Sequence, residues 1–194
     1  RYAVFAELAV RHQCAVVLGH HQDDVAENVL MRLARGATVG AVSGLAPWRA
    51  PYLRPLLGVS KQSLREWLEL HKLPHREDAS NAKMAYSRNY VRHQIVTALQ
   101  ERYSCASRQL ASFAQKAAQV SQYLCARLDE EMVLARGPDC VELSSKPLSD
   151  LPYAVFYEFM CSVVEREFPG RRPSHTSFLQ AYEACGDGQK GERS

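Results

Sequence analysis

Residues 19–28, Gly19-His20-His21-Gln22-Asp23-Asp24-Val25-Ala26-Glu27-Asn28, follow the apolar run Cys14-Ala15-Val16-Val17-Leu18, and the join between the two decides the fold. An uninterrupted, β-branched apolar run of this length reads as a buried strand of a parallel sheet, with Val16 to Leu18 placed centrally. Gly19 breaks it, and an amphipathic helix is expected from about Asp24 to Arg35. With Asp24 at zero on a helical wheel, Glu27, Asn28, Met31 and Arg35 fall within about 60° of it. Val25, Ala26, Val29, Leu30 and Leu33 lie opposite, so the acids are expected on an open face and the apolar residues on a buried one. A strand that hands acids to a helix start is where α/β proteins place ligands.

Two readings of the acids stand side by side. Asp24-x-x-Glu27 has the form of a capping box, and carboxylates in a first turn complement the helix dipole. Yet two histidines and three carboxylates within eight residues exceed what a cap requires. As metal ligands they would suit Mg²⁺ better than zinc, because the set is oxygen-rich.

Composition narrows the classes. The chain has 194 residues, 46% hydrophobic and 23% charged, which is ordinary for a globular protein. No apolar run approaches the roughly 20 residues of a membrane span, so no membrane partner is expected. The six cysteines, at 14, 105, 125, 140, 161 and 185, form no C-x-x-C pair, and free thiols in a cytoplasmic protein are expected. The net charge of +3 conceals an asymmetry: residues 32–93 hold eleven Lys/Arg and four Asp/Glu, a balance of +7, which leaves −4 elsewhere. With Trp48, Tyr52, Trp67, Tyr86 and Tyr90 interleaved, this stretch suits a phosphate-rich partner; a solvated basic surface over core aromatics accounts for it equally.

Taken in order, residues 1–12 read as a helix. Residues 37–50 form a loop, and Tyr52 to Leu57 is extended, since a residue before proline avoids helical geometry. Ser60 caps a helix that Leu73-Pro74 ends. A further helix from about Ser87 to Gln100 carries Arg88 and Arg92 on one face of its first turns, against the macrodipole, which implies an anion for them. From Ser104 to about Leu134 apolar residues at 110, 113, 117, 120, 124 and 128 mark one helix of roughly 45 Å. A short strand is expected over 139–143. Pro152 starts a helix through Glu167, and Ser174 opens a last one to about Cys185.

A run of short blocks then becomes specific: His20-His21-Gln22-Asp23-Asp24-x-x-Glu27, Leu33-x-Arg35-Gly36, Gly44-Leu45, Leu53-Arg54-Pro55-Leu56-Leu57, Glu77-Asp78-x-Ser80-Asn81 and Arg88-Asn89-x-x-Arg92. In order and spacing they resemble the motifs of tRNA(Ile)-lysidine synthetases, PP-loop ATP pyrophosphatases that join lysine to C2 of the wobble cytidine, position 34, through adenylation of the base. The resemblance implies an α/β fold: part of a parallel-sheet PP-loop domain, of the adenine nucleotide alpha hydrolase kind, over residues 1–103. A linker helix over 104–135 and a small helical tRNA-contacting domain over 136–194 would follow.

It also implies ATP and Mg²⁺ as cofactors, and tRNA(Ile) and L-lysine as partners, with a homodimer left open. Asp24 matches the acid associated with Mg²⁺ and lysine. Glu27 and Arg88 match the residues that hold lysine at its ammonium and carboxylate ends. His20, His21, Arg54, Asp78, Asn81 and Arg92 match positions on the ATP or tRNA side without individual roles. Arg49, Arg54, Arg65 and Arg76 are expected on a basic surface for tRNA.

The family's Ser-Gly-Gly-x-Asp-Ser phosphate loop does not occur in these 194 residues. The chain starts at Arg1 rather than Met, so a longer parent is expected to hold the activity and this fragment alone to lack it. Two rivals remain. PP-loop tRNA thiolation enzymes often use cysteine pairs or an iron–sulfur cluster, which this sequence does not offer. A non-catalytic tRNA-binding remnant is the other.

Overall fold

The computed structural model describes residues 2–42, 44–76, 87–171 and 173–187. The chain divides into two compact units, residues 1–118 and 119–194.

In the first unit, α1 (Tyr2–His12) leads into β1 (Val16–Val17), and α2 (Gln22–Leu33) follows Gly19. Then come β2 (Trp48–Arg49), β3 (Tyr52–Leu53) and α3 (Lys61–Leu70). The sheet is small and mixed, in the order β1-β3-β2. Val16 and Val17 pair in parallel with Tyr52 and Leu53, while Trp48 and Arg49 pair antiparallel with Leu53 and Tyr52. The expectation of a central strand at Val16 to Leu18 is corrected here. Among the described residues β1 is an edge, because both other strands lie to one side of it, and Val17 is 63% exposed. Leu18 is buried and its N–H still donates to the Leu53 carbonyl at 2.8 Å.

Ser60 caps α3 as its sequence position predicts, its hydroxyl accepting from the Ser63 N–H at 3.0 Å. The helix expected over 87–100 is built in three pieces: α4 (Ser87–Tyr90), a π turn (Val91–Val96) and α5 (Thr97–Arg102). The π turn carries i→i+5 hydrogen bonding and so widens the helix locally. The core of this unit joins Val25 and Val29 of α2 to Val42 of the following loop and to Ala114 and Ala117. Those alanines lie on α6 (Ala106–Met132), which follows the stripe read from the sequence; the division between the units falls inside it, after Ala118.

In the second unit α6 stops at Met132, two residues before the expected Leu134. Val133–Arg136 leaves the helix as β4 and pairs antiparallel with β5 (Val141–Leu143), with a register shift between Val133 and Ala135. One short helix and two longer ones complete it: α7 (Ser145–Ser149), α8 (Tyr153–Glu167) with Pro152 as N-cap, and α9 (His175–Asp187). Phe156 and Phe159, each 1% exposed, pack with Leu128, Met132, Leu148, Val163 and Phe178. All six cysteines are free thiols. Among the described residues no helix is long and apolar enough to cross a membrane.

A charge network ties α6, β4 and α8 on the surface of this unit. Asp129 accepts from Arg166 at 2.5 Å and from Arg136, and both guanidiniums also reach Glu167, at 2.7 and 3.1 Å. Burial pushes the Asp129 carboxyl up, but the hydrogen bonds from Arg166 and Arg136 outweigh it and hold the group below its usual value. A carboxyl lowered on folding stabilises above its unfolded pKa, and that contribution fades as pH falls through the folded one. Urea midpoints measured from about pH 5 down to about pH 2.5 are therefore expected to fall more steeply for the parent chain than for Asp129→Asn. Parallel acid limbs would show that the network adds nothing.

Candidate functional site

The site grows from the first turn of α2. The His21 N–H donates to Asp24 Oδ2 at 2.9 Å, so the reciprocal cap is made by Asp24, and Glu27 is left for something else. Asp23 turns the other way. Its Oδ2 accepts the Lys61 N–H at 2.8 Å and its Oδ1 accepts Gln100 Nε2 at 3.4 Å, which fixes the start of α3 against α2. His21 lies between the two acids, its ring nitrogens 3.6 Å from Asp23 and 3.5 Å from Asp24.

Arg88 and Arg92 close over the remaining oxygens. Arg88 Nη2 donates to Asp24 Oδ1 at 2.6 Å and its Nε to Glu27 Oε2 at 2.8 Å. Arg92 Nε donates to Glu27 Oε1 at 2.6 Å, and its Nη2 reaches Glu27 Oε2 at 3.1 Å and Asp24 Oδ1 at 3.3 Å. Asp24 and Glu27 are 7% and 1% exposed. The acid face of α2 is therefore not open: two guanidiniums cover it, because a carboxylate lodged against the Val25–Val29 core without a partner would cost several kcal/mol. The anion implied for Arg88 and Arg92 by their unfavourable helix position is supplied by the chain itself. Hydrogen bonding to Glu27 raises the Arg92 pKa, so that charge is permanent.

The other sequence-read residues take varied places. His20 is partly buried with no hydrogen-bond partner at Nδ1 among the described residues, and desolvation lowers its pKa, so it is neutral near pH 7. Arg54 is not on a basic surface as expected. It is 7% exposed, donates from Nη1 to the Ala46 carbonyl at 2.9 Å and leaves its Nε buried without a partner among the described residues. Its role is internal because the turn after β3 folds it back under the 44–47 loop. Arg49, Arg65 and Arg76 are exposed. Gly44 has φ +56°, and a Cβ there would strike Asn28 and Arg32, so the loop can approach α2 only at a glycine. Asp78 and Asn81 lie outside the described residues.

The arrangement does not fit Mg²⁺ on Asp24. Both of its oxygens already face N–H donors, two of them on cationic groups, and the described residues hold no group of three or more metal-ligating side chains. Beside Glu27 and Arg92 lies a cavity of about 1070 Å³. Among the residues that line it, Lys61, Arg65 and Arg108 were not singled out as a set from the sequence. Lys61 and Arg65 share a face of α3 (i, i+4), a readable signal, but Arg108 joins them only through the fold.

Residues 1–99 match the PP-loop domain family. The chain belongs to that family. The match runs from α1 into the first residues of α5 and takes in every paired residue of the Asp24–Glu27–Arg88–Arg92 cluster. Curated relatives of this PP-loop chain carry the name tRNA(Ile)-lysidine synthase. That of Bacillus licheniformis is 32% identical over 160 residues, 78% of this chain and 34% of the relative. That of Geobacillus kaustophilus is 32% identical over 184 residues, 91% of this chain and 40% of the relative. In Geobacter sulfurreducens the identity is 39% over 134 residues, 68% and 28% of the two chains. The PP-loop chain thus spans between about a quarter and two fifths of these relatives' lengths, and the resemblance read from its short motifs agrees with their names.

Proposed function

We propose that the protein carrying this chain is a tRNA-modifying ligase that uses ATP and joins L-lysine to the wobble cytidine of tRNA(Ile). The observation that carries the reading is the cluster itself. Two carboxylates one helical turn apart on α2 meet two guanidiniums from residues 61 to 68 positions later, all on family-like motif positions and beside a large cavity.

The cluster suits an amino acid because an ammonium and a carboxylate can enter it by exchange. Arg88, whose side chain is 43% exposed, is the more open guanidinium. On lysine binding it would turn from Glu27 and Asp24 to the substrate carboxylate, and the released carboxylates would receive an ammonium. Arg92 keeps Glu27 in place meanwhile. Positive and negative charges then alternate throughout, so no buried charge is stranded. In the reaction the base is first adenylated, with pyrophosphate leaving ATP; the lysine amine then bonds to C2 and AMP leaves. No step is assigned to Mg²⁺, which the cluster does not fit.

The test is transfer of lysine to tRNA(Ile) by the full-length protein, read as a mass increase of one lysyl residue on the wobble cytidine. A protein that consumes ATP with this tRNA but adds sulfur, or adds nothing, would overturn the reading.

A further inference from the structure

The arginine-bearing segment meets α2 at two levels. Arg92 Nε donates to Glu27 Oε1 at 2.6 Å, and Gln100 Nε2 donates to Asp23 Oδ1 at 3.4 Å. Asp23 and Glu27 stand one turn apart on α2, as residues i and i+4 do. Arg92 and Gln100 are eight residues apart, a spacing that would leave them about 80° from each other on an unbroken α-helix. The π turn takes up one residue of that interval, so the two align as residues seven apart do, within about 20°. Thr97 supports the turn: its N–H donates to the Gln94 carbonyl and its hydroxyl to the Arg92 carbonyl at 3.2 Å. The Gln100 amide is itself anchored, since it also donates at 2.8 Å to the hydroxyl of Ser107, which is 4% exposed. Neither Gln100 nor Thr97 belongs to the signature blocks of the sequence.

We propose that Gln100 is a positioning residue of the Asp24–Glu27–Arg88–Arg92 cluster: by holding Asp23 while Arg92 holds Glu27, it fixes the rotation of the arginine-bearing helix against α2. The Arg92–Glu27 pair alone is a pivot, because a guanidinium can swing about a carboxylate and stay bonded to it. A second attachment two turns along the helix removes that freedom. The direction from which Arg88 and Arg92 approach the two carboxylates is then set. A primary amide suits the place, because one nitrogen carries two hydrogens and serves Asp23 and Ser107 together. It is also neutral, and so adds no charge beside the carboxylates. The consequence for lysine rests on the function proposed above; the consequence for Arg92 does not.

The first measurement is the Arg92 Nε–H resonance of the 15N-labelled 194-residue chain, which reports the bond to Glu27. Gln100→Leu is expected to move it toward the position of an unpaired arginine, although the substitution lies two turns away. Thr97→Val, on an exposed side chain, is expected to move it the same way, while Thr97→Ser, which keeps the hydroxyl, leaves it in place. Gln100→Glu sets a carboxylate against Asp23 and is expected to do more. Adding Asp23→Asn to Gln100→Glu reverses donor and acceptor, keeps a carbonyl for the Lys61 N–H, and should return the signal toward the parent's. The second measurement is steady-state kinetics of the full-length protein. Gln100→Leu should raise the lysine KM about three- to tenfold, the worth of one hydrogen bond, with kcat and the ATP KM little changed. An Arg92 signal unmoved in both Gln100→Leu and Thr97→Val overturns the proposal. So does a double variant no better than Gln100→Glu, or a kcat that falls while the lysine KM stays fixed, which marks a merely structural role. Moved and restored signals in a protein that transfers no lysine to tRNA overturn the function and leave the positioning standing. Lysine transfer by variants whose signal and lysine KM match the parent's does the reverse.

Discussion

Glu27→Gln is expected to raise the lysine KM of the full-length protein, in the ligase reaction proposed for it, by about ten- to a hundredfold, with the ATP KM little changed. The change keeps the shape of the side chain and removes its charge. Three N–H donors of Arg88 and Arg92 point at Glu27, at 2.6, 2.8 and 3.1 Å, and Gln offers them one neutral oxygen and a competing donor. A charge-assisted bond is roughly twice as strong as a neutral one, so on the order of 1.5–3 kcal/mol is lost where lysine must find its ammonium partner. The alternative that Glu27 merely caps α2 has lost its basis, because Asp24 makes that bond. What remains to separate is a substrate-facing role from a purely positioning one. If Glu27 only braces the two arginines, urea stability falls and both KM values drift together. A selective rise for lysine marks contact with substrate, and an unchanged lysine KM refutes the assignment.

Phe156→Ala is expected to cost the second unit about 3–5 kcal/mol. Phe156 is 1% exposed and sits against Tyr153 and Tyr182, with ring centroids 6.3 and 5.0 Å away. Its removal leaves a cavity that α7, α8 and α9 cannot fill without breaking their own contacts. Domain stabilities are themselves about 5–15 kcal/mol, so most of the margin of a unit this small would go. Urea denaturation followed by near-ultraviolet circular dichroism, which reports the packed tyrosines, would show a lowered midpoint and a weakened native signal. A midpoint equal to the parent's would mean that the aromatic cluster is loosely packed and relaxes around the loss.

Local chemistry was legible wherever one residue type decides the backbone. Ser60 announces α3, Pro152 and Ser174 stand at the starts of α8 and α9, and Gly19 separates β1 from α2, all of it determined within a turn of chain. What was not legible depends on distant partners. Trp48-Arg49 is a strand only because β3 lies beside it, and two residues are too few to show a period of two. Val133 to Arg136 continues the apolar texture of α6, and only its pairing with β5 draws it out of the helix. In the site, the sequence placed Asp24, Glu27, Arg88 and Arg92 on the right elements and misjudged their state. Helical wheels report which way a side chain points from its own axis, and they are silent on what another helix lays over it.

The π turn at Val91–Val96 lets the helix absorb one residue more than an α-helix needs. Each of its residues turns the chain less than the ~100° of an α-helical one, so the six together turn it about as far as five α-helical residues. Deleting one residue there would let the segment relax into an ordinary α-helix, which is locally the easier structure, while Gln100 kept its direction toward Asp23. A homologue one residue shorter between Arg92 and Gln100 is therefore the same machine, and a residue count that ignores the bulge mistakes a neutral deletion for a lost site.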